Sequence, residues 1–93
     1  MVAFITRMFE LEPSEKKRLH SESECGWRIA YRSGEVVFQL DTYGSPTRQD
    51  VGTISQSLQL DEAMALEVVD ALARTFPAVA NLLQERRAAQ GDR

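Results

Sequence analysis

From Gly26 to Phe76 two periodicities follow one another in the chain, and no other feature constrains its fold as tightly. Trp27, Ile29 and Tyr31 alternate with Arg28, Ala30 and Arg32, and Val36, Phe38 and Leu40 alternate with Val37, Gln39 and Asp41. A period of two marks strands with one side turned inward. Ser33-Gly34 between them reads as a two-residue hairpin turn, with glycine suited to positive φ. Ile54, Leu58 and Leu60 set against Thr53, Ser55, Ser57 and Gln59 make a further strand over 51–60, with Gln56 out of pattern. The period then changes. Ala65, Val68, Val69, Leu72 and Phe76 recur at helical spacing. Asp61 stands at the cap position, where its carboxylate accepts from free N–H groups, and Glu62 favours the positive end of the helix dipole. Pro77 ends or kinks this helix, and residues 78–89 resume a helical pattern around Val79, Leu82 and Leu83.

The flanking segments complete an architecture. Residues 2–9 read as a first strand, with Phe4 and Ile5 as β-formers. Residues 12–26 form a polar loop with a weaker helical alternative at 14–20, and residues 43–50 hold the turn formers Gly44, Ser45, Pro46 and Asp50. The expectation is a single α+β domain over 1–93: a curved, four-stranded antiparallel sheet packed on a C-terminal helix (ββββα), with a short helical extension. Trp27, Ile29 and Tyr31 face the core, and Arg28 and Arg32 lie on the outer face.

At 93 residues, a lone core is near the lower limit of self-sufficiency, and such chains often gain stability by pairing. One sheet and one helix leave apolar surface on the helix, and a symmetric partner is its commonest cover. The stripe Val68, Val69, Leu72 and Phe76 is therefore core or homodimer interface. The net charge of −3 argues against general coating of nucleic acid but leaves room for a local basic patch. Residues 1–57 carry seven Lys/Arg against eight acids, and 58–93 carry four against six, so the acidic excess leans toward the helices. The single cysteine, Cys25, excludes an intrachain disulfide. No apolar run approaches the ~18 residues of a membrane span, and a cytoplasmic protein is expected.

Catalytic patterns are weak. His20 and Cys25 both fall in the polar loop, with no base or orienting group at defined spacing. Asp41 and Asp50 flank a turn and read as turn caps rather than as ligands of a divalent ion. Gly44 and Gly52 precede no helix in the manner of a phosphate loop. No enzyme, cofactor or metal is expected. Lys16-Lys17-Arg18 reads as a solvated basic run. Arg28 and Arg32, about 13 Å apart along one strand face, are spaced to contact successive phosphates of a single strand. Arg48 joins them from the turn, and Tyr43 is placed to stack on a base. The alternative is three ordinary exposed arginines and a half-buried tyrosine.

The order of elements, with Gly26-Trp27, Asp41-Thr42-Tyr43-Gly44-Ser45, Gly52, Leu58-Gln59-Leu60 and Asp61-Glu62, resembles the small single-stranded-DNA-binding domains related to the transcriptional positive coactivator family, short bacterial versions included. The resemblance covers residues 26–76. It implies a homodimer paired through the helix, with single-stranded DNA or RNA lying across the strands against Arg28, Arg32, Arg48 and Tyr43. Three departures stand out: Thr53 where the family usually carries a lysine, the overall acidity, and the extra helix at 78–89. The first two favour a second expectation, an accessory or inhibitory module that binds a protein partner through a sheet edge or the acidic helix; the extra helix would cap a surface or extend the dimer seam.

Overall fold

The computed structural model describes residues 2–15, 22–44 and 54–91. Strands β1 (Val2–Phe4), β2 (Cys25–Arg32), β3 (Glu35–Thr42) and β4 (Gln56–Leu60) precede helices α1 (Glu62–Thr75) and α2 (Pro77–Gly91). The strands lie in the order β1-β4-β3-β2. The α+β class and the four-strand count agree with the sequence expectation, but the sheet is mixed rather than antiparallel throughout. β1 runs parallel to β4, with Val2 opposite Ser57 and Phe4 opposite Gln59. A parallel neighbour requires a long connection, and here β2 and β3 intervene. β1 is also shorter than the strand expected over 2–9, although the Ile5 amide still donates to Gln59 O at 3.0 Å.

The β2–β3 hairpin follows from its turn. Ser33 (φ 51°) and Gly34 (φ 83°) both have positive φ, as a type I′ turn requires, and this turn matches the twist of its flanking strands. It closes on Arg32 opposite Glu35 and sets the register back to Cys25 opposite Thr42. Cys25 therefore begins β2 and does not belong to the loop as expected; it is exposed. Asp61 caps α1 as its position suggested, accepting from the Met64 amide at 2.9 Å. Pro77 opens α2, where its missing N–H costs nothing.

Register assigns the two sheet faces. Trp27, Ile29, Tyr31, Val36, Phe38, Leu40, Leu58 and Leu60 share one; Gly26, Arg28, Ala30, Arg32, Glu35, Val37, Gln39, Asp41, Ser57 and Gln59 share the other, with Val2 and Phe4 of β1. The alternation is as read, but its expected burial is not. Trp27, Ile29 and Tyr31 are 67%, 62% and 71% exposed, whereas Asp41 on the polar face is 1% exposed. Among the described residues the buried apolar side chains are Val37 and Leu60. The reason is the direction of curvature. Arg32 near one sheet edge places its guanidinium 3.8 Å from the centre of the Phe4 ring at the other edge. The sheet therefore curls about its polar face, which becomes the sheltered, concave side. α1 packs against β3 and β4 and leaves β2 untouched.

Candidate nucleic-acid interface

The concave face is built from cross-strand rows. Arg28, Gln39, Gln59 and Phe4 stand opposite one another across all four strands, and Gly26, Asp41, Ser57 and Val2 form the adjacent row. The side chains of these rows bond to each other. Gln59 Nε2 donates to Gln39 Oε1 at 2.8 Å, Gln39 Nε2 donates to Asp41 Oδ1 at 2.9 Å, and Ser57 Oγ donates to the same Oδ1 at 2.6 Å. Arg28 Nε approaches Asp41 Oδ2 to 3.1 Å. This approach is a charge contact, because among the described residues no hydrogen-bond donor is aligned on the buried Oδ2.

Asp41 thus does not cap a turn, as its neighbourhood suggested. It sits inside β3 as the anionic centre of a polar cluster. The Ser57 hydroxyl, then the Gln39 amide, hold its carboxyl below the ordinary value of 3.8; burial opposes them, and the Arg28 charge adds to the lowering. A depressed folded-state pKa contributes stability that is complete above the ordinary carboxylate value and is lost as pH falls through the lowered one. Acid titration should therefore destabilise the fold below about pH 4. Asp41→Asn should flatten that part of the curve, as followed by urea unfolding at stepped pH; an unchanged slope would remove Asp41 as its source.

The arginines and the tyrosine named from sequence fall as follows. Arg28 and Arg32 share the concave face, as the strand reading required. Arg28 faces Asp41 through Nε, while most of its side chain is exposed. Arg32 lies on the Phe4 ring and stands opposite Glu35 in the ladder. Tyr43 follows β3, its amide donating to Glu24 O at 3.2 Å. Its ring lies over Gly26, where an added Cβ would sit 3.3 Å from the phenol oxygen, so a larger residue there would push the ring back slightly. The structure therefore brings Arg28 and Tyr43 to one end of the polar face and Arg32 to the other. Arg48, and with it Asp50, Gly52, His20 and the Lys16-Lys17-Arg18 run, lies outside the described residues. Among the described residues no group of His, Cys, Asp and Glu is arranged to hold a metal ion.

The sequence reading missed Gln39, Gln59, Ser57 and the Asp41 carboxylate that orients them. Their shared parity on β3 and β4 was visible, but not which residues of the two strands pair. The proposed dimer stripe is uncovered: α1 has no buried residue, and Val69, Leu72 and Phe76 are exposed, with Val68 half-buried. A separate open groove of about 770 Å³ between residues 8–11 and α1 holds none of these side chains. Its arginine, Arg74, is tied to Asp70 at 2.6 Å. No helix among the described residues is long and apolar enough to cross a membrane. Compared with known proteins, the chain matches no family model, no curated protein and no solved structure.

Proposed function

We propose that this chain is a non-catalytic, cytoplasmic module that binds single-stranded nucleic acid along the concave polar face of its sheet. It would act as a homodimer paired through the α1 stripe of Val68, Val69, Leu72 and Phe76. The observation that carries the reading is the gathering of Arg28, Arg32 and Tyr43 on one concave face lined by Gln39 and Gln59. Concave, amide-lined strands with two arginines and a half-exposed ring suit a flexible single strand, whose phosphates need cations and whose bases need stacking partners. The likeness of residues 26–76 to the coactivator-related domains points the same way. The non-catalytic part rests on the chemistry of Asp41. A carboxylate held ionised, with one oxygen saturated by donors and the other buried beside an arginine, is a poor proton acceptor.

The salt response should be modest. Arg28 is already opposed by Asp41, which leaves Arg32 and Arg48 as the main phosphate partners. Single-strand binding loses about 0.7 in the log–log salt slope for each phosphate neutralised. Fluorescence anisotropy of a labelled ~20-nucleotide strand should show saturable binding that weakens about 5–10-fold between 50 and 200 mM salt. Arg32→Ala should lower the slope by about 0.7. Absence of saturable binding at tens of micromolar protein in low salt would sink the reading.

A second reading has its own support. The neutralised Arg28, the net charge of −3 and the outer edge of the eight-residue β2, which pairs with no strand among the described residues beyond β3, suit a module that binds a protein partner. A stoichiometric partner that co-purifies without nucleic-acid absorbance would favour it.

A further inference from the structure

The convex face of the sheet carries Trp27, Ile29, Tyr31, Val36, Phe38 and Leu58 and no charged side chain. It offers nothing to a phosphate backbone. Trp27 stacks on Phe38 with ring centres 5.6 Å apart, which joins the β2 and β3 parts of the face. Its exposure is graded. Leu60 at the β4 end is buried, Phe38 and Leu58 are partly exposed, and Val36 at the turn end of β3 is nearly as open as the three β2 side chains. Among the strands α1 packs on β3 and β4, so the β2 side chains lie beyond its reach.

A soluble chain does not leave such a face open to water, and the rest of this one has little to cover it with. The segments outside the described residues read Lys-Lys-Arg-Leu-His-Ser and Ser-Pro-Thr-Arg-Gln-Asp-Val-Gly-Thr, which are mostly polar. A complementary surface is on α1, whose apolar residues Val69, Leu72 and Phe76 are also exposed. The areas agree. The chain exposes 8567 Å², against roughly 5,400 Å² for a folded monomer of 10.5 kDa. The surplus of about 3,000 Å² per chain is more than the largely apolar interface of a permanent dimer usually takes from each partner.

We infer that α1 of a second copy of this chain covers the bare β2 end of the convex face. Trp27, Ile29 and Tyr31 of each copy then lie against Val69, Leu72 and Phe76 of the other. The contact is isologous: one chain supplies the sheet patch at one site and the helix stripe at its symmetry mate, so both unpartnered surfaces close in a single two-fold dimer. The inference rests on the dimeric reading above and specifies what the helix pairs with. It also leaves the concave polar face free in both copies.

Thiol trapping tests it with exposed, conservative replacements. In a Cys25→Ser background, an Ile29→Cys chain and a Val69→Cys chain are mixed, equilibrated and treated with a short bifunctional maleimide. The mixture should give crosslinked dimer well above the yield of either chain alone. The single tryptophan gives a second readout: Trp27 emission should be blue-shifted in the dimer and move red on dilution to monomer. If Val69→Cys crosslinks to itself while Ile29→Cys stays unreacted, helix-to-helix pairing stands and the sheet-face contact is overturned. If Ile29→Cys crosslinks to itself, the sheets face each other and the inference is equally overturned. A monomeric mass at micromolar concentration with fully exposed Trp27 emission overturns both the inference and the dimer.

Discussion

Replacing Leu60 by alanine is expected to lower stability by about 2–5 kcal/mol, the range for removing a buried leucine. Few single changes in this chain should match it. Among the described residues Leu60 is one of two buried apolar side chains, and it stands at the end of β4 directly before the Asp61 cap of α1. A cavity there loosens the sheet and the start of the helix together. Small domains hold about 5–15 kcal/mol in total, so the variant should lose a large part of its margin and melt roughly 10–30 °C lower. Thermal unfolding followed by circular dichroism, at one fixed protein concentration, gives the value. A loss under about 1 kcal/mol would show that the site refills and is not the core described.

The second large effect concerns Arg28 and Asp41, and it changes how binding must be tested. Among the described residues, Arg28 alone supplies the counter-charge beside the buried Asp41 Oδ2. Removing one member of such a pair costs more than removing both, because the survivor keeps its desolvation without its partner. Arg28→Met should therefore unfold at clearly lower urea than the parent chain. Arg28→Met with Asp41→Asn should recover most of the loss, since the Asn carbonyl can still accept from Ser57 and Gln39. Strictly additive losses in this double-mutant cycle would show that the two groups are uncoupled. An Arg28→Ala variant that no longer binds a single strand is uninformative on its own, since loss of the Asp41 counter-charge also lowers folding stability. Arg32→Ala, which strips only an exposed guanidinium from the Phe4 ring, and the charge-neutral double variant separate binding from folding.

Much of the framework was legible because its causes are local. Ser33-Gly34 specifies a turn by its φ requirements, and the turn in turn sets the β2–β3 register. Asp61 and Pro77 mark helix starts through the needs of the first N–H groups. The alternation of Trp27 to Arg32 and Val36 to Asp41 correctly sorted residues into two faces, and it put Arg28 and Arg32 together. The parallel β1–β4 pair left no trace in the sequence, because the pairing of segments more than fifty residues apart has no local signature. The same holds for the Asp41 cluster, whose donors come from a strand that only the sheet brings alongside.

The sequence by itself determined that two faces exist and what chemistry each carries: aromatic and aliphatic on one, arginine, amide and hydroxyl on the other. Only the tertiary structure decided which face is sheltered within a single chain. Period-two alternation is symmetric between the faces, so it cannot reveal the sign of the sheet's curvature or which strands a helix reaches. Those depend on how distant segments meet. Here the edges curl together on the polar side, joining Arg32 to Phe4, while α1 stops short of β2 and leaves Trp27, Ile29 and Tyr31 facing outward.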